Sequence, residues 1–405
     1  MSINNILILK YDILIIIDMR NQTKHILFVV FVSMISEVLY ANEYFYDIEV
    51  DNSDGVTIYY RFINDNTELE VTNPNITHEY SDFFQTWVDV PHDSGYSGIV
   101  NIPSTVYYFG KTYNVTRIGY FAFYQDRWYA DPSVGVTSVI IPNSVKSIGW
   151  SAFSRCTDLT SVTIPNSVTI IDGHAFEYCT GLTSVTIPNS VTYIGECVFE
   201  GCTGLTSVTL PNNLDWINLR VFSCCSSLTS VTIPNSVTNI DRYAFEYCTG
   251  LTSVTIPNNV KYIRYNAFDN CSGLKTVTIG KGVREIQGNA FTNCNNLTKV
   301  ISLIEYPFDI NGESSSEPVF STNTFRFARL FVPVGTFYKY KATQGWKDFV
   351  RITEGIPSGI GEVKTEVDKT EVSRYTLDGK KLFESQKGIN ILKMSDGTTR
   401  KVMVK

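Results

Sequence analysis

Between residues 136 and 298 the apolar positions follow one order again and again. Leu159, Val162 and Ile164 are separated by polar residues, then come Val168 and Ile171, then the pair Ala175 and Phe176, after which Leu182 starts the same order anew. The spacing Leu-x-x-Val-x-Ile predicts a short strand with Leu159, Val162 and Ile164 turned inward and the intervening Ser161 and Thr163 turned out. Downstream, Val168, Ile171, Ala175 and Phe176 predict a return segment, read as a short extended piece followed by a turn of helix or 3₁₀. Proline closes each strand at Pro142, Pro165, Pro188, Pro211, Pro234 and Pro257, every interval being 23 residues. Its fixed φ and missing N–H suit a strand end and not a strand interior. The fifteen residues 175–189 recur letter for letter at 244–258, three periods later.

Seven units tile residues 138–298, the seventh carrying Gly280 in place of the proline. Self-similarity at this period is the signature of a leucine-rich-type solenoid, in which one unit cannot cover its own apolar faces and the stack can. The expected fold is therefore β-rich with little helix: a leucine-rich-repeat solenoid of 23-residue coils, capped at both ends, with a small C-terminal β module. Residues 99–298 form the repeats, because "IVNIPSTV" at 99–106 and "VTRIGYFAF" at 115–123 echo the later units. Residues 42–98, rich in alternating runs such as Val56 to Phe62, form a β-rich N-terminal cap. Residues 299–353 form a degenerate repeat and C-terminal cap. There "NGESSSEPVF" reads as a polar loop, and an amphipathic helix with Phe337, Tyr340, Trp346 and Phe349 is placed to cover the last coil. Residues 354–371, rich in Gly and charge, are a linker. Residues 372–405 hold short strands separated by Asp-Gly turns at 378–379 and 396–397.

The N-terminal 41 residues read as leader. Residues 1–18 are apolar but broken by Lys10 and Asp12, whereas from Met19 a charged stretch (Arg20, Lys24), an apolar run at 26–35 and Ala41 have the layout of a secretory signal peptide. The expected start is Met19, with cleavage after Ala41; the alternative is an N-terminal membrane anchor, for which the apolar run is short.

Nine cysteines in an exported chain raise the question of a disulfide framework. Seven of them, Cys156, Cys179, Cys202, Cys225, Cys248, Cys271 and Cys294, are spaced by 23 and occupy one repeat position. Equivalent positions in stacked coils project their Cβ atoms in parallel, so these are expected to be buried free thiols. Cys197 and Cys224 lie off that column, and a bond from Cys224 to a neighbouring coil is the alternative. With no CxxC pair and no Cys/His cluster, neither a metal nor another cofactor is expected.

The repeat unit LTSVTIPNSVTxIGxxAFxxCTG resembles the BspA-like leucine-rich repeats of Bacteroidetes surface proteins over roughly residues 99–352. The tail, "YTLDGKKL" at 375–382 and "KGINILKMSDGTTRKVMVK" at 387–405, resembles a type IX secretion sorting module. Together these resemblances imply export across both membranes, display at or release from the cell surface, and an adhesive or interaction role. The implied partners are an extracellular host protein or glycan and, through the tail, the export machinery. Membrane contact is limited to the signal peptide or surface attachment.

The family brings no catalytic motif, and the chain shows no P-loop, GxGxxG or HExxH. Of four histidines, His25 falls in the leader, His78 and His92 in the N-terminal cap and His174 at a variable repeat position, none with a patterned acid or nucleophile beside it. An enzyme is not expected. A net charge of −7 argues against nucleic acid as partner.

Two surfaces remain as binding candidates. One is the hydroxyl column of the inner, concave wall, Thr163, Thr186, Thr209, Thr232, Thr255 and Thr278, flanked by a serine column; it also reads simply as a soluble strand face. The other is a set of variable positions, Trp150, Tyr193, Trp216, Arg242, Tyr262 and Tyr265, of the residue types that dominate interface energetics. If exposed, these six make a binding strip; if buried, they fill the coil. The competing readings are a non-binding structural spacer at the cell surface and, more remotely, a regular hydroxyl array facing ice.

Overall fold

In the computed structural model the described residues are 46–75, 94–125, 135–310 and 317–357, together with strand segments at 7–9, 12–14, 76–81, 86–91, 371–376, 381–382, 388–394 and 399–404. The predicted leader from Met19 to Ala41, with His25, falls outside them, as do His92 and most of the linker.

Each repeat is one turn of a right-angled coil with two parallel walls. On the first wall, strands Val136–Ile140, Ser161–Thr163, Ser184–Thr186, Ser207–Thr209, Ser253–Ile256, Thr276–Ile279, Lys299–Ser302, Arg329–Val332 and Arg351–Glu354 follow one another up the stack. Equivalent residues lie in register: Val139 opposite Val162, Val185 opposite Val208, Val254 opposite Val277 and Val277 opposite Val300. The inward Leu, Val and Ile are buried while Ser and Thr between them face out, as the alternation predicts. The strand-ending proline opens a turn whose carbonyl accepts the N–H three residues on, Val168 to Pro165 and Val191 to Pro188 at 3.1 and 3.0 Å. Gly280 serves the same turn in the seventh coil, where Val283 donates to its carbonyl.

The return segment is not helical, in contrast to the expectation of a turn of helix or 3₁₀. It holds a second wall of two-residue strands, Ser147–Ile148, Ile170–Ile171, Tyr193–Ile194, Trp216–Ile217, Asn239–Ile240, Tyr262–Ile263 and Glu285–Ile286, followed by a wound turn. In that turn the backbone donors alternate. Ala152, Ser154 and Cys156 donate within their own coil to Gly149, Ser151 and Phe153, whereas Ser151, Phe153 and Arg155 donate to Gly173, Ala175 and Glu177 of the next. A helix would turn every N–H back into its own coil and leave the neighbour's carbonyls unpaired. The alternation is reached by placing two residues per coil in the left-handed region, Ser151 and Arg155, His174 and Tyr178, Tyr243 and Tyr247, Asn266 and Asn270 among them.

A stack of phenylalanine rings runs through the centre. Phe123, Phe153, Phe176, Phe199, Phe222, Phe245, Phe268, Phe291 and Phe320 are fully buried, with successive centroids 4.9 to 5.6 Å apart and planes within 16° of parallel. Phe320 corrects the reading of "NGESSSEPVF" as a loop throughout. Its last residues rejoin the stack, with Asn289 and Phe291 donating to the carbonyls of Pro318 and Val319.

The caps close both ends. Strands Ile48–Asp51, Thr57–Ile63 and Glu68–Val71 form an antiparallel meander, and Glu68–Val71 then pairs in parallel with Lys111–Ile118, which begins the short-strand wall. The buried Glu70 carboxylate is held by Arg61 at 2.9 Å and Arg117 at 3.6 Å. A hairpin between Thr105–Tyr108 and Lys111–Ile118 interrupts the first coil, its turn carried by Phe109 and Gly110 at positive φ. At the far end Tyr340, from helix Phe337–Ala342, and Trp346 and Phe349 are fully buried, while Phe337 is half-buried. Phe325 and Phe349 meet Phe320 edge-on and so terminate the parallel ring stack. The C-terminal segments form a four-stranded antiparallel sheet that includes Lys381–Leu382, a strand not read from the sequence. Among the described residues no helix is long and apolar enough to cross a membrane.

Candidate functional site

The short-strand wall displays most of the variable strip. Its first residues lie in register, Ser147 beside Ile170 beside Tyr193, and further up Trp216 beside Asn239 beside Tyr262 beside Glu285. Side chains at these positions point away from the coil interior because the following isoleucine of each two-residue strand points in. Ile170 is 42%, Tyr193 48%, Trp216 46% and Tyr262 38% exposed, and Trp150, three residues along its coil, is 40% exposed. Arg242 is exposed as well, and Tyr265 is half-buried.

Neighbouring side chains orient these groups. The Trp150 ring lies across Gly173, where a Cβ would come within 2.5 Å of it, and rests 4.5 Å from the His174 ring. The Arg264 guanidinium sits 4.7 Å over the Tyr262 ring and also reaches Glu285 at 3.5 Å. Asn239, between Trp216 and Tyr262, is only 3% exposed, and its Oδ1 has no hydrogen-bond partner. Two exposed rings therefore flank an amide whose acceptor is unpaired.

The hydroxyl wall is less uniform than the sequence suggested. Thr163, Thr186, Thr209, Thr232 and Thr255 are exposed, but Thr278 is 4% exposed and departs from the expected column. The next residues in register are Ile301, fully buried, and Phe331, so the wall turns apolar in its last coils. A further column of hydroxyls is already engaged: Thr160, Thr206, Thr229 and Thr252 each donate to the carbonyl of the equivalent residue one coil back.

All nine cysteines are free thiols. In the column, each Sγ donates to a phenylalanine carbonyl of the preceding coil, Cys156 to Phe123, Cys179 to Phe153, Cys202 to Phe176, Cys225 to Phe199, Cys248 to Phe222, Cys271 to Phe245 and Cys294 to Phe268, at 3.0 to 3.2 Å. Sequence spacing identified the column but not this second acceptor on the Phe carbonyl, which only the stacking reveals.

The titratable groups on the wound turn do not assemble a reactive centre. His174 Nδ1 lies 3.2 Å from Glu177, whose hydrogen bond raises the imidazole above its ordinary range. Burial and then the hydrogen bond with Glu200 push the Cys197 thiol well up, the reverse of an activated nucleophile. Glu200 is itself paired with Arg220 at 3.3 Å, and Arg220 lies 4.9 Å over the Tyr243 ring. Asp269, raised by burial, is held by Asn266 and Asn293. These contacts tie each coil to the next.

Residues 116–251 and 169–298 match the family described as BspA type leucine rich repeat region. No curated protein matches the chain. Among solved structures, a T. pallidum leucine rich repeat protein is 25% identical, with 59% of this chain and 87% of that chain covered and a TM-score of 0.37. A leucine-rich repeat protein from Bacteroides ovatus is 23% identical, covering 76% and 88%, with a TM-score of 0.35. A leucine rich cell surface protein from Faecalibacterium prausnitzii is 21% identical, covering 77% and 96%, with a TM-score of 0.38.

Proposed function

We propose that the chain is an exported repeat protein, displayed on or released from the cell surface, that holds an extracellular protein or glycan along its short-strand wall and carries out no catalysis. The observation that carries this reading is the exposure of Ile170, Tyr193, Trp216 and Tyr262 in one column, with Trp150 and Arg242 beside it. A column that served only stacking would be filled by the hydroxyl residues used elsewhere on the surface. Large rings projecting from a rigid wall lose little side-chain freedom on binding, which favours contact through them. The signal-like segment from Met19 and the match of residues 116–298 to surface-type repeats support export. The sorting-like sheet at 371–404 is assigned to the export machinery on the same reading.

The test is binding of the purified chain to an array of extracellular-matrix proteins and glycans beside a Trp150→Ala, Trp216→Ala, Tyr262→Ala variant. Saturable binding that falls at least tenfold in the variant is expected. Binding that survives in the variant moves the site elsewhere, and no binding to any member leaves the chain a spacer.

A further inference from the structure

The seventh coil breaks the repeat at one point. Where five of the preceding coils read Ile-Pro-Asn and the fourth Leu-Pro-Asn, residues 279–283 read Ile-Gly-Lys-Gly-Val, and Arg284 follows at a position held by Thr169, Thr192 and Thr238 in other coils. Lys261 stands at that same position one coil earlier, and Arg284 N–H donates to its carbonyl, so the two cations are stacked neighbours. Both glycines are required by the close approach of the chain: a Cβ at Gly280 would lie 2.5 Å from the Pro257 carbonyl, and one at Gly282 would lie 1.9 Å from that of Asn258. The bare Gly282 also leaves room for the Lys261 ammonium, 3.0 Å from where its Cβ would stand.

This departure lies beside a groove of about 560 Å³ lined by Lys261, Lys281, Arg284, Glu305, Tyr306 and Phe308. The groove exists because the short-strand wall ends at Glu285–Ile286: the following coil leaves the ladder after Leu303, and residues 304–308 form the opposite side. Neither Lys281 nor Arg284 makes a side-chain ion pair among the described residues, and both are exposed. Glu285, the nearest acid on the wall, is engaged by Arg264, which leaves Glu305 as the carboxylate at the groove. Tyr306 is 77% exposed, with Lys339 Nζ 4.1 Å from its ring centroid.

We infer that this groove binds an anionic saccharide, one carrying sulfate or carboxylate groups. Three clustered cations without acidic partners, on a chain whose net charge is −7, supply a local positive field against the overall sign. The exposed Tyr306 ring gives a flat apolar wall for a sugar face, and ammonium and guanidinium groups suit the anionic substituents. A peptide strand is disfavoured because the open edge of the wall is only two residues long, too short to seat an added strand. The inference is independent of the aromatic strip.

The experiment is calorimetric titration of the full chain with a heparin-derived sulfated hexasaccharide, a hyaluronan hexasaccharide carrying only carboxylates, neutral maltohexaose and a hexaglutamate peptide. The decisive variant is Lys261→Thr, Lys281→Asn, Arg284→Thr, which installs residues found at the same positions in other coils and so preserves the fold, checked by an unchanged melting profile. A control, Lys146→Thr, Lys275→Thr, Arg326→Ala, removes the same charge elsewhere. Binding of at least one anionic hexasaccharide, weakened tenfold or more in the groove variant and less than twofold in the control, is expected, with maltohexaose not bound. The two anionic sugars separate sulfate from carboxylate recognition. Equal losses in variant and control, hexaglutamate binding as tight as the sugar, or loss of the anionic sugar in the Trp150, Trp216, Tyr262 variant would each overturn the assignment.

Discussion

The Cys202 thiol donates a hydrogen bond to the main-chain oxygen of Phe176, 3.1 Å away in the preceding coil. That oxygen also receives the Cys179 N–H of its own coil at 3.2 Å, so both acceptor positions are used and the thiol binds two coils together. Cys202→Ala removes the donor and leaves a small void, a loss of about 1–2 kcal/mol. Urea unfolding of the variant checks this; a loss under about 0.5 kcal/mol would mean that the thiol contributes no more than its volume.

The same environment governs reactivity. Burial pushes the Cys202 thiol up to about 12, and the rest of the column is equally enclosed, whereas Cys224 is half-buried. Alkylation at neutral pH followed by mass spectrometry is expected to label Cys224 first and the column only after denaturant is added. Early labelling of Cys202 or Cys225 would contradict the enclosed stack.

Phe222 lies in the middle of the ring stack, between Phe199 and Phe245 at 5.6 and 5.3 Å. Phe222→Ala is expected to cost about 3–5 kcal/mol. Because each coil touches only its neighbours, the damage should be local. Hydrogen exchange should show protection lost around residues 199–245 and retained near Phe123 and Phe291.

Tyr247 adopts φ 60°-class backbone with a value of 56°, yet its N–H donates to Asp269 of the next coil at 2.9 Å. A bulky residue there carries strain that Asn or Gly relieves. Tyr247→Asn is expected to stabilise the chain by about 0.5–1 kcal/mol, and Asn270→Val, at the equivalent position one coil on, to destabilise it by about 1–2 kcal/mol. Melting temperatures of the two variants moving in the same direction would refute the assignment.

His174 is raised by its hydrogen bond to Glu177. A folded-state value above the unfolded one means that the contact stabilises the chain fully below the ordinary histidine range and loses this contribution as pH rises through the folded value. In Glu177→Gln the imidazole midpoint, followed by NMR, should fall. The stability difference from the parent should be present at low pH and fade as the histidine deprotonates; a difference that grew with pH would assign the effect to another group.

The repeat architecture was legible in the sequence because stacking imposes the same inward residues in each coil, and Leu159, Val162, Ile164 and Phe176 recur as that demands. The second wall was not, since two residues such as Tyr193 and Ile194 are too few for a period to show. Nor were the left-handed positions: His174, Tyr178 and Arg220 have no preference for that region, and only Asn266, Asn270, Asn289 and Asn293 hint at it. The variable strip was legible as residue types, but the exposure of Trp216 and the burial of Asn239 depend on which way a two-residue strand faces. Thr278 differed because its partner in register is Ile301, a substitution in a neighbouring coil whose effect the single unit does not reveal.

The bonds that alternate N–H groups from coil to coil, such as Phe153 to Ala175 at 2.7 Å, run along the axis of the stack. A pull on the two ends therefore loads them one interface at a time, as in a zipper, and not all together in shear. Each coil that opens releases a 23-residue length of chain, about 80 Å when extended. Anchored at one end and attached at the other, such a chain lengthens in steps under tension and recloses by restacking identical surfaces, which makes it an extensible tether.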